Sequence, residues 1–258
     1  MFSKDSVITA FAYCRRQKPR WTCKLFEKPQ ASGNLTKIGR DFLDLKIELF
    51  PHVYKPQTDT FFLIDFALPK PEDIALELCA GCGIISLHLS PVAKKVYATD
   101  FNPYAVANAK HNAKINGIWN IQIQQGDLYE SVKDQRFDLI VANPPYVPTP
   151  PNWETQDIIE TAFNAGEDGR IIIDRIIQGL PNHITSNGRF IMVQSSLADI
   201  EKTRTQLQTL NFHTRVIAEK WLPLGPVSRG RYHWLKQHAT FIHPNAELLV
   251  IIEASQNH

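Results

Sequence analysis

The sequence predicts an α/β fold: a mostly parallel, Rossmann-like sheet with helices on both faces and an antiparallel pair closing one edge. Two observations carry this. From Asp73 onward, short β-rich runs alternate with stretches of helical spacing, the pattern of right-handed βαβ crossovers. Towards the C-terminus the alternation breaks, because "NFHTRVIAEKW" and "AELLVIIEAS" are joined by a passage too loop-like for a crossover helix, which implies an antiparallel pair.

The elements follow in order. The first 45 or so residues show weak periodicity: a short helix is expected around Val7 to Cys14, then a loop through "QKPRWTCKLFEKPQASGNLTKIGR". The first core strand is "DIALELC", followed by "KKVYATD", "WNIQIQQ", "FDLIVAN" and "GRFIMVQSS". Between them "NPYAVANAKHNAKING" and "LADIEKTRTQLQTLN" read as helices ending near Gly117 and Asn211. The division expected is an N-terminal extension over 1–48, a possible lid on the substrate side, and a main domain over 49–258 with an enlarged loop at about 221–245.

Composition narrows the class. The chain has 258 residues, 43% hydrophobic and 21% charged, enough to bury a sizeable core. A formal net charge of +2 is too small to imply a nucleic-acid or membrane partner, and the local "CRRQKPRWTCK" reads as a solvated basic face. No stretch reaches the roughly 18 apolar residues of a spanning helix, and no export signal opens the chain, so a cytoplasmic protein is expected. Cys14, Cys23, Cys79 and Cys82 are then expected as free thiols.

In such sheets ligands bind at the carboxyl ends of the strands, so the residues there carry the argument. The first strand runs into "ELCAGCGIIS": Glu77 ends it, and Gly81 and Gly83 allow a tight turn and close approach to a ligand. A dinucleotide fingerprint needs a third glycine where Ser86 stands, which favours an adenosyl group without pyrophosphate. Cys79-x-x-Cys82 also has redox-motif spacing, but the other strand ends form a different constellation. No second ligand pair stands at zinc-finger spacing, and no metal is expected.

Asp100, 17 residues beyond Gly83 and followed by Phe101, stands where a carboxylate accepts from ribose hydroxyls. Asn102 before Pro103 is the better helix cap, which leaves Asp100 for a ligand. Asp127 is either an acceptor for an adenine amine, with Leu128 packed on the ring, or an ordinary turn aspartate. The fourth strand ends in Asn143-Pro144-Pro145-Tyr146, where the Asn143 side-chain oxygen and the Pro144 carbonyl are acceptors fixed in direction by the prolines. Two fixed acceptors beside the aromatic face of Tyr146 suit a planar NH2 group meeting an electrophilic methyl.

"ELCAGCG", "ATDFNP", "GDL" and "NPPY", in this order, resemble the class I S-adenosylmethionine-dependent methyltransferases, whose nitrogen-methylating branch carries Asn-Pro-Pro-Tyr. "VYKPQTDTFFLIDFAL" and "AGEDGRIIIDRII" look like the HemK-like release-factor glutamine methyltransferases of the short branch, over roughly Phe50 to Leu235. The resemblance implies a seven-stranded sheet of order 3-2-1-4-5-7-6 with the last strand antiparallel. It implies S-adenosyl-L-methionine as cofactor and S-adenosyl-L-homocysteine as product, with the methionine end at Thr60 and the Gly81 loop, the ribose at Asp100 and the adenine at Asp127 and Leu128. It also implies that Asn143 and Pro144 hold the amide of a glutamine in a release-factor Gly-Gly-Gln loop, with Tyr146 beside it.

Three departures stand out. Cys79 replaces the usual glycine, the helical N-terminal domain of the longer bacterial enzymes is not expected in the short, weakly patterned first 45 residues, and "WLPLGPVSRGRYHWLKQ" is large enough to cover a substrate entrance. Pro145, Arg229 and Arg231 are candidate substrate contacts, the arginines for a carboxylate or phosphate, with surface arginines as the rival reading. A small-molecule or peptide acceptor stays open beside the protein glutamine. An adenine-specific nucleic-acid methyltransferase and a non-catalytic cofactor-binding scaffold rank below both.

Overall fold

A computed structural model describes residues 36–39, 45–238 and 243–256. Two antiparallel strands, β1 (Thr36–Gly39) and β2 (Lys46–Leu49), precede the main sheet. That sheet has seven strands: β3 (Ile74–Leu78), β4 (Lys95–Asp100), β5 (Ile121–Gln125), β6 (Phe137–Ala142), β7 (Ile184–Ser195), β8 (Phe212–Pro223) and β9 (Ala246–Gln256). Their order is β5-β4-β3-β6-β7-β9-β8. Counted from its own first strand the sheet therefore runs 3-2-1-4-5-7-6; the chain numbering is offset by the preceding ribbon, which sequence reasoning missed. The first five strands pair in parallel, and β9 lies antiparallel between β7 and the edge strand β8.

Helices α1 (Thr58–Ile64), α2 (Ile84–Leu89) and α3 (Pro103–Ile115) cover one face; α4 (Ile171–His183) and α5 (Ile200–Thr209) cover the other. The two-residue period of the strands divides the core between these faces. Ala75, Val96, Leu139, Val141 and Ile191 pack towards α1 to α3, whereas Leu76, Leu78, Ile140, Phe190 and Met192 pack towards α4 and α5. Burial on both faces explains why the central strands read as near-continuous apolar runs. Between α4 and α5 lies Arg170, 1% exposed, whose donors all find acceptors on Asp174, Thr203, Gln206 and the Ala198 and Asp199 carbonyls.

β2 is held by an asparagine ladder. Asn108 and Asn112 in α3 and its C-cap Asn116 recur every four residues and so share one side of it. Asn116 accepts from Lys46 N and donates to Lys46 O, both at 2.8 Å. Asn112 accepts from Glu48 N (3.0 Å) and donates to Glu48 O (3.1 Å) and Cys82 O (2.9 Å); Asn108 accepts from Phe50 N (3.0 Å) and donates to Glu48 O (2.7 Å). The side-chain amides act as a substitute neighbouring strand, satisfying backbone groups that an edge leaves open.

Two expectations need correction here. The boundary drawn at 48/49 cuts through β2, whose Ile47 and Leu49 belong to the core. The passage read as an enlarged loop contains two short helices, α6 (Pro226–Gly230) and α7 (Tyr232–His238): β8 ends at Pro223, Gly225 is the N-cap of α6, Pro226 supplies the first helical φ, and buried Ser228 and Leu235 anchor the pair. The helix expected around Val7 to Cys14, and Cys14 and Cys23, lie outside the described residues. Among the described residues no helix is long and apolar enough to cross a membrane.

Candidate active site

One cavity of about 420 Å³ opens at the carboxyl ends of β3 to β6, within the range of small-molecule sites. Of the residues singled out in the sequence, it is lined by Thr60, Glu77, Gly81, Asp100, Phe101, Asp127, Leu128, Asn143, Pro144, Pro145 and Tyr146. Gly83 stands behind the wall. Arg229 and Arg231 do not line it: Arg229 is exposed, and Arg231 is buried against other parts of the chain.

The turn after β3 explains the glycines. Gly83 caps α2 with φ +79°, and a Cβ there would stand 2.8 Å from Ala109 Cβ, so it sets how closely α2 meets α3. Gly81, φ +54°, has nothing within 4 Å of an added Cβ, which would point into open space at the cavity wall. Cys79 adopts φ +57° without being glycine, the left-handed conformation that a glycine at this position takes freely. Burial pushes both thiols up, Cys82 to about 12, which is opposite to the low-pKa thiolate of a redox pair. Both are free.

Glu77 is 1% exposed and accepts from Ser86 N at 2.7 Å and from the Ser86 hydroxyl. Ser86, where a dinucleotide fingerprint has glycine, thus holds the acid at the start of α2. Burial pushes the Glu77 carboxyl up to about 8 against these donors. Asp100 accepts from Gly81 N through Oδ2 and from Asn102 N through Oδ1, both at 2.8 Å. One bond per oxygen leaves each with further acceptor capacity towards the cavity. Asn102 caps α3 by accepting from Tyr104 N, as its place before Pro103 predicts. Asp127 forms a half-exposed ion pair with Arg175 at 2.8 Å, and Arg175 also lines the cavity. Leu128 is buried with φ +55°, its carbonyl held by the Thr99 hydroxyl.

Asn143, Thr60 and Tyr146 converge on a residue that sequence reasoning missed, Asp59. It is 6% exposed at the start of α1, accepting through Oδ1 from Thr60 N at 2.7 Å. Its Oδ2 accepts from the Tyr146 hydroxyl at 3.0 Å and faces Asn143 Nδ2 at 3.5 Å, while Asn143 Nδ2 donates to Thr60 Oγ1 at 3.1 Å. A carboxylate on this side orients the Asn143 amide: its NH2 end turns to Asp59 and Thr60, leaving Oδ1 as an acceptor. Burial, with Asp59 and Glu247 nearby, raises the Tyr146 phenol well above its ordinary range, so it stays a neutral donor. Buried Glu247, also raised by burial, is held by Ser195 Oγ at 2.6 Å. The only sequence signal for Asp59 was its place beside Thr60 in "QTDTFF".

Among the described residues no cluster of His, Cys, Asp or Glu forms a metal site. What the arrangement can do is hold an adenosyl-sized ligand along three strand ends and present two acceptors beside it.

Known proteins place the chain. A family model described as the methyltransferase small domain matches residues 57–220. A chain of Methanocaldococcus jannaschii with the provisional name protein N5-glutamine methyltransferase is 38% identical over 180 residues, covering 69% of this chain and 90% of that one. The human methyltransferase HEMK2 is 34% identical (56% of this chain, 72% of that one), and the release factor glutamine methyltransferase of Escherichia coli 30% (78% and 75%). Among solved structures, the E. cuniculi complex responsible for methylating the eRF1 termination factor superposes with TM-score 0.55 at 20% identity, over 80% of this chain and 99% of that one. A tRNA methyltransferase of M. jannaschii gives 0.58 at 16% identity, over 89% and 59%, a likeness of fold. With the small-domain model spanning most of the chain and glutamine methyltransferases among its relatives, the protein belongs to the HemK-like methyltransferases.

Proposed function

We propose that this methyltransferase moves a methyl group from S-adenosylmethionine to the side-chain amide nitrogen of a protein glutamine, first of all one in a release-factor Gly-Gly-Gln loop. The observation that carries the reading is the oriented Asn143 amide at the cavity wall, its NH2 end tied to Thr60 and Asp59. The relatives named for glutamine methylation support the choice of acceptor.

The residues present fit the cofactor. Gly81 leaves room for it, Asp100 keeps acceptor capacity for ribose hydroxyls, Phe101 and Leu128 offer apolar faces for a base, and Asp127 offers an acceptor for its amine. Glu77, at the cavity wall, fixes the start of α2, and Gly83 acts from behind through its spacing from α3. Thr60 serves both ends, through the cavity and through Asn143. Bound S-adenosylmethionine would supply a methyl on a positively charged sulfur: as the N–CH3 bond forms the S–CH3 bond breaks, leaving the thioether of S-adenosylhomocysteine, and the amide nitrogen gives up one proton to water.

The chain's own groups do the rest. Asn143 Oδ1 and the Pro144 carbonyl accept the two hydrogens of the acceptor NH2, and Tyr146 packs against the amide plane. Drawing on those hydrogens raises electron density on a nitrogen that amide resonance leaves poorly nucleophilic. Pro145 stiffens the turn, which lowers the entropy cost of holding both acceptors in place. The carboxylate of Asp59 lies against the Nδ2 end of Asn143, the end turned away from the acceptor, so it acts by keeping Oδ1 aimed at the acceptor NH2.

The test is mass spectrometry of a release factor incubated with the protein and S-adenosylmethionine, with Asn143→Ala as control. One added methyl on the Gly-Gly-Gln glutamine, lost in the variant while S-adenosylhomocysteine still binds, is the expected result. An unmodified factor, with cofactor binding intact, would overturn the acceptor and move the search to small-molecule and peptide amides.

A further inference from the structure

The segment following Tyr146 folds back on itself. Val147 N donates to Phe163 O at 2.9 Å, Ala165 N to Val147 O at 3.1 Å and Thr149 N to Gly166 O at 2.8 Å, closing a neck. Thr155, Thr161, Ala162, Phe163, Asn164 and Ala165 of this loop line the cavity on the side of the Asn-Pro-Pro-Tyr turn. Inside the loop Glu160 accepts from Trp153 Nε1 at 2.9 Å, Gln156 N at 3.2 Å and Asn164 Nδ2 at 3.2 Å.

One residue outside the loop grips both strands of the neck. Arg231, where α6 ends, is 6% exposed. Its Nη1 donates to Pro148 O at 3.3 Å and Thr149 Oγ1 at 3.1 Å, and its Nη2 donates to Asn164 Oδ1 at 2.6 Å. The guanidinium carbon lies 4.4 Å from the centroid of the Trp153 ring and 6.0 Å from that of Phe163. Each contact uses something lysine lacks: a planar fork spanning two strands and a flat cation that stacks on an aromatic face. At its far end the loop is tied by an exposed His52 to Asp157 contact of 2.8 Å.

We propose that Arg231 is a positioning residue for the acceptor side of the site: through the neck and Trp153 it fixes the loop 147–166 as the wall against which the acceptor is held. On this reading the α6–α7 insertion, expected to touch substrate with its arginines, acts one step removed, by shaping what the substrate meets. The cofactor side, built on Asp100, Gly81 and Asp127, has no contact with Arg231 and is independent of it.

The acceptor assay rests on the proposed glutamine acceptor; a second readout does not. In steady-state kinetics with a release factor, Arg231→Ala should raise the acceptor KM roughly tenfold or more, with affinity for S-adenosylhomocysteine within about twofold of wild type. Arg231→Lys, keeping charge without the fork, should recover little of the loss. Trp153, 47% exposed, can be changed with little risk to folding: Trp153→Ala should raise KM in the same direction and Trp153→Phe much less.

Independently of any acceptor, chymotrypsin should cut after Trp153 about tenfold faster in Arg231→Ala than in wild type, since the stacked guanidinium no longer covers the ring. Equal cutting rates, an unchanged acceptor KM, or parallel losses of cofactor affinity and acceptor KM would each overturn the inference. If Arg231→Ala does not fold, Arg231→Lys supplies the cutting rate and the Trp153 pair the acceptor KM and cofactor affinity, judged by the same outcomes. If wild-type protein leaves the release factor unmodified, the proposed acceptor falls, and the cutting rates alone decide the role of Arg231.

Discussion

Two glycines in one turn should fail in different ways when each is given a methyl group. Both sit at positive φ, so alanine costs each about 1–2 kcal/mol of backbone strain, partly offset by the roughly 0.5–1 kcal/mol gained when the unfolded chain loses glycine's freedom. At Gly83 the new Cβ also meets Ala109 Cβ at 2.8 Å and Ala109 Cα at 3.2 Å, and the latter is backbone that cannot swing aside. Forcing α2 from α3 adds about 1–3 kcal/mol of overpacking, so Gly83→Ala should cost about 1–4 kcal/mol in total. For a domain of this size that lowers Tm by about 2–4 °C per kcal/mol, a few degrees to about 15 °C. At Gly81 nothing lies within 4 Å, so Gly81→Ala should cost about 1 kcal/mol or less in the free protein, while its methyl occupies cavity space. Urea unfolding and calorimetric titration with S-adenosylhomocysteine separate the two: Gly81→Ala should lose about tenfold or more in affinity at near-native stability, and Gly83→Ala should lose stability first. Equal destabilisation by both, or a Gly81→Ala protein that binds like wild type, would refute the placement of the cofactor in this turn.

Other perturbations have equally definite outcomes. Asp59→Asn puts an amide where Tyr146 and Asn143 need an acceptor, freeing Asn143 to flip; kcat should fall about 10–100-fold with cofactor affinity little changed, and an unaltered kcat would sink the orienting role. Glu77, pushed up to about 8 by burial, holds its proton in the fold while the unfolded chain releases it near pH 4.3. Between these values the folded state binds more protons, so wild-type stability should fall with rising pH, by at most about 1.4 kcal/mol per unit. Glu77→Gln keeps an acceptor for Ser86 but cannot ionise, so its melting temperature should show a weaker pH dependence there; parallel wild-type and variant curves would contradict this. Asn112→Ala removes three bonds at a buried site, costing about 2–4 kcal/mol in chemical denaturation, against about 1 kcal/mol for the half-buried Asn116→Ala, whose bonds to Lys46 are exposed.

What could be read in the sequence was what a strand or a turn declares locally. Asn102 before Pro103 announced the start of α3, and an Asn-Pro-Pro-Tyr stretch after an apolar run announced a strand that stops at a rigid turn. Gly117 and Asn211, both at positive φ, mark helix ends as expected. Contacts between distant segments left fainter traces. Asn108, Asn112 and Asn116 recur every four residues in an alanine-rich helix, a polar row that was legible as a pattern but not as a ladder, because its partner β2 is four residues of unremarkable composition. Arg231 looked like any surface arginine beside Arg229, since burial of a cation depends on acceptors 67 to 83 positions away. Arg175, which pairs with Asp127 over 48 positions, was invisible for the same reason.

Asp59 joins these two levels. Asn143 alone does not determine which end of its amide meets a substrate, for the two ends are nearly the same shape and opposite in hydrogen-bonding sense. The turn after β6 fixes where the side chain starts, and α1, entering from before the sheet, fixes which way it faces by setting an acid 3.5 Å from its nitrogen. The same carboxylate takes the Tyr146 proton donor, so the aromatic face and the acceptor oxygen are registered to one another through a single group. A helix that precedes the sheet in the chain therefore sets the polarity of a motif that lies 83 residues later. On the proposed reading the substrate side depends on contacts across the fold, while most of the cofactor side, Thr60 apart, follows from the strand ends.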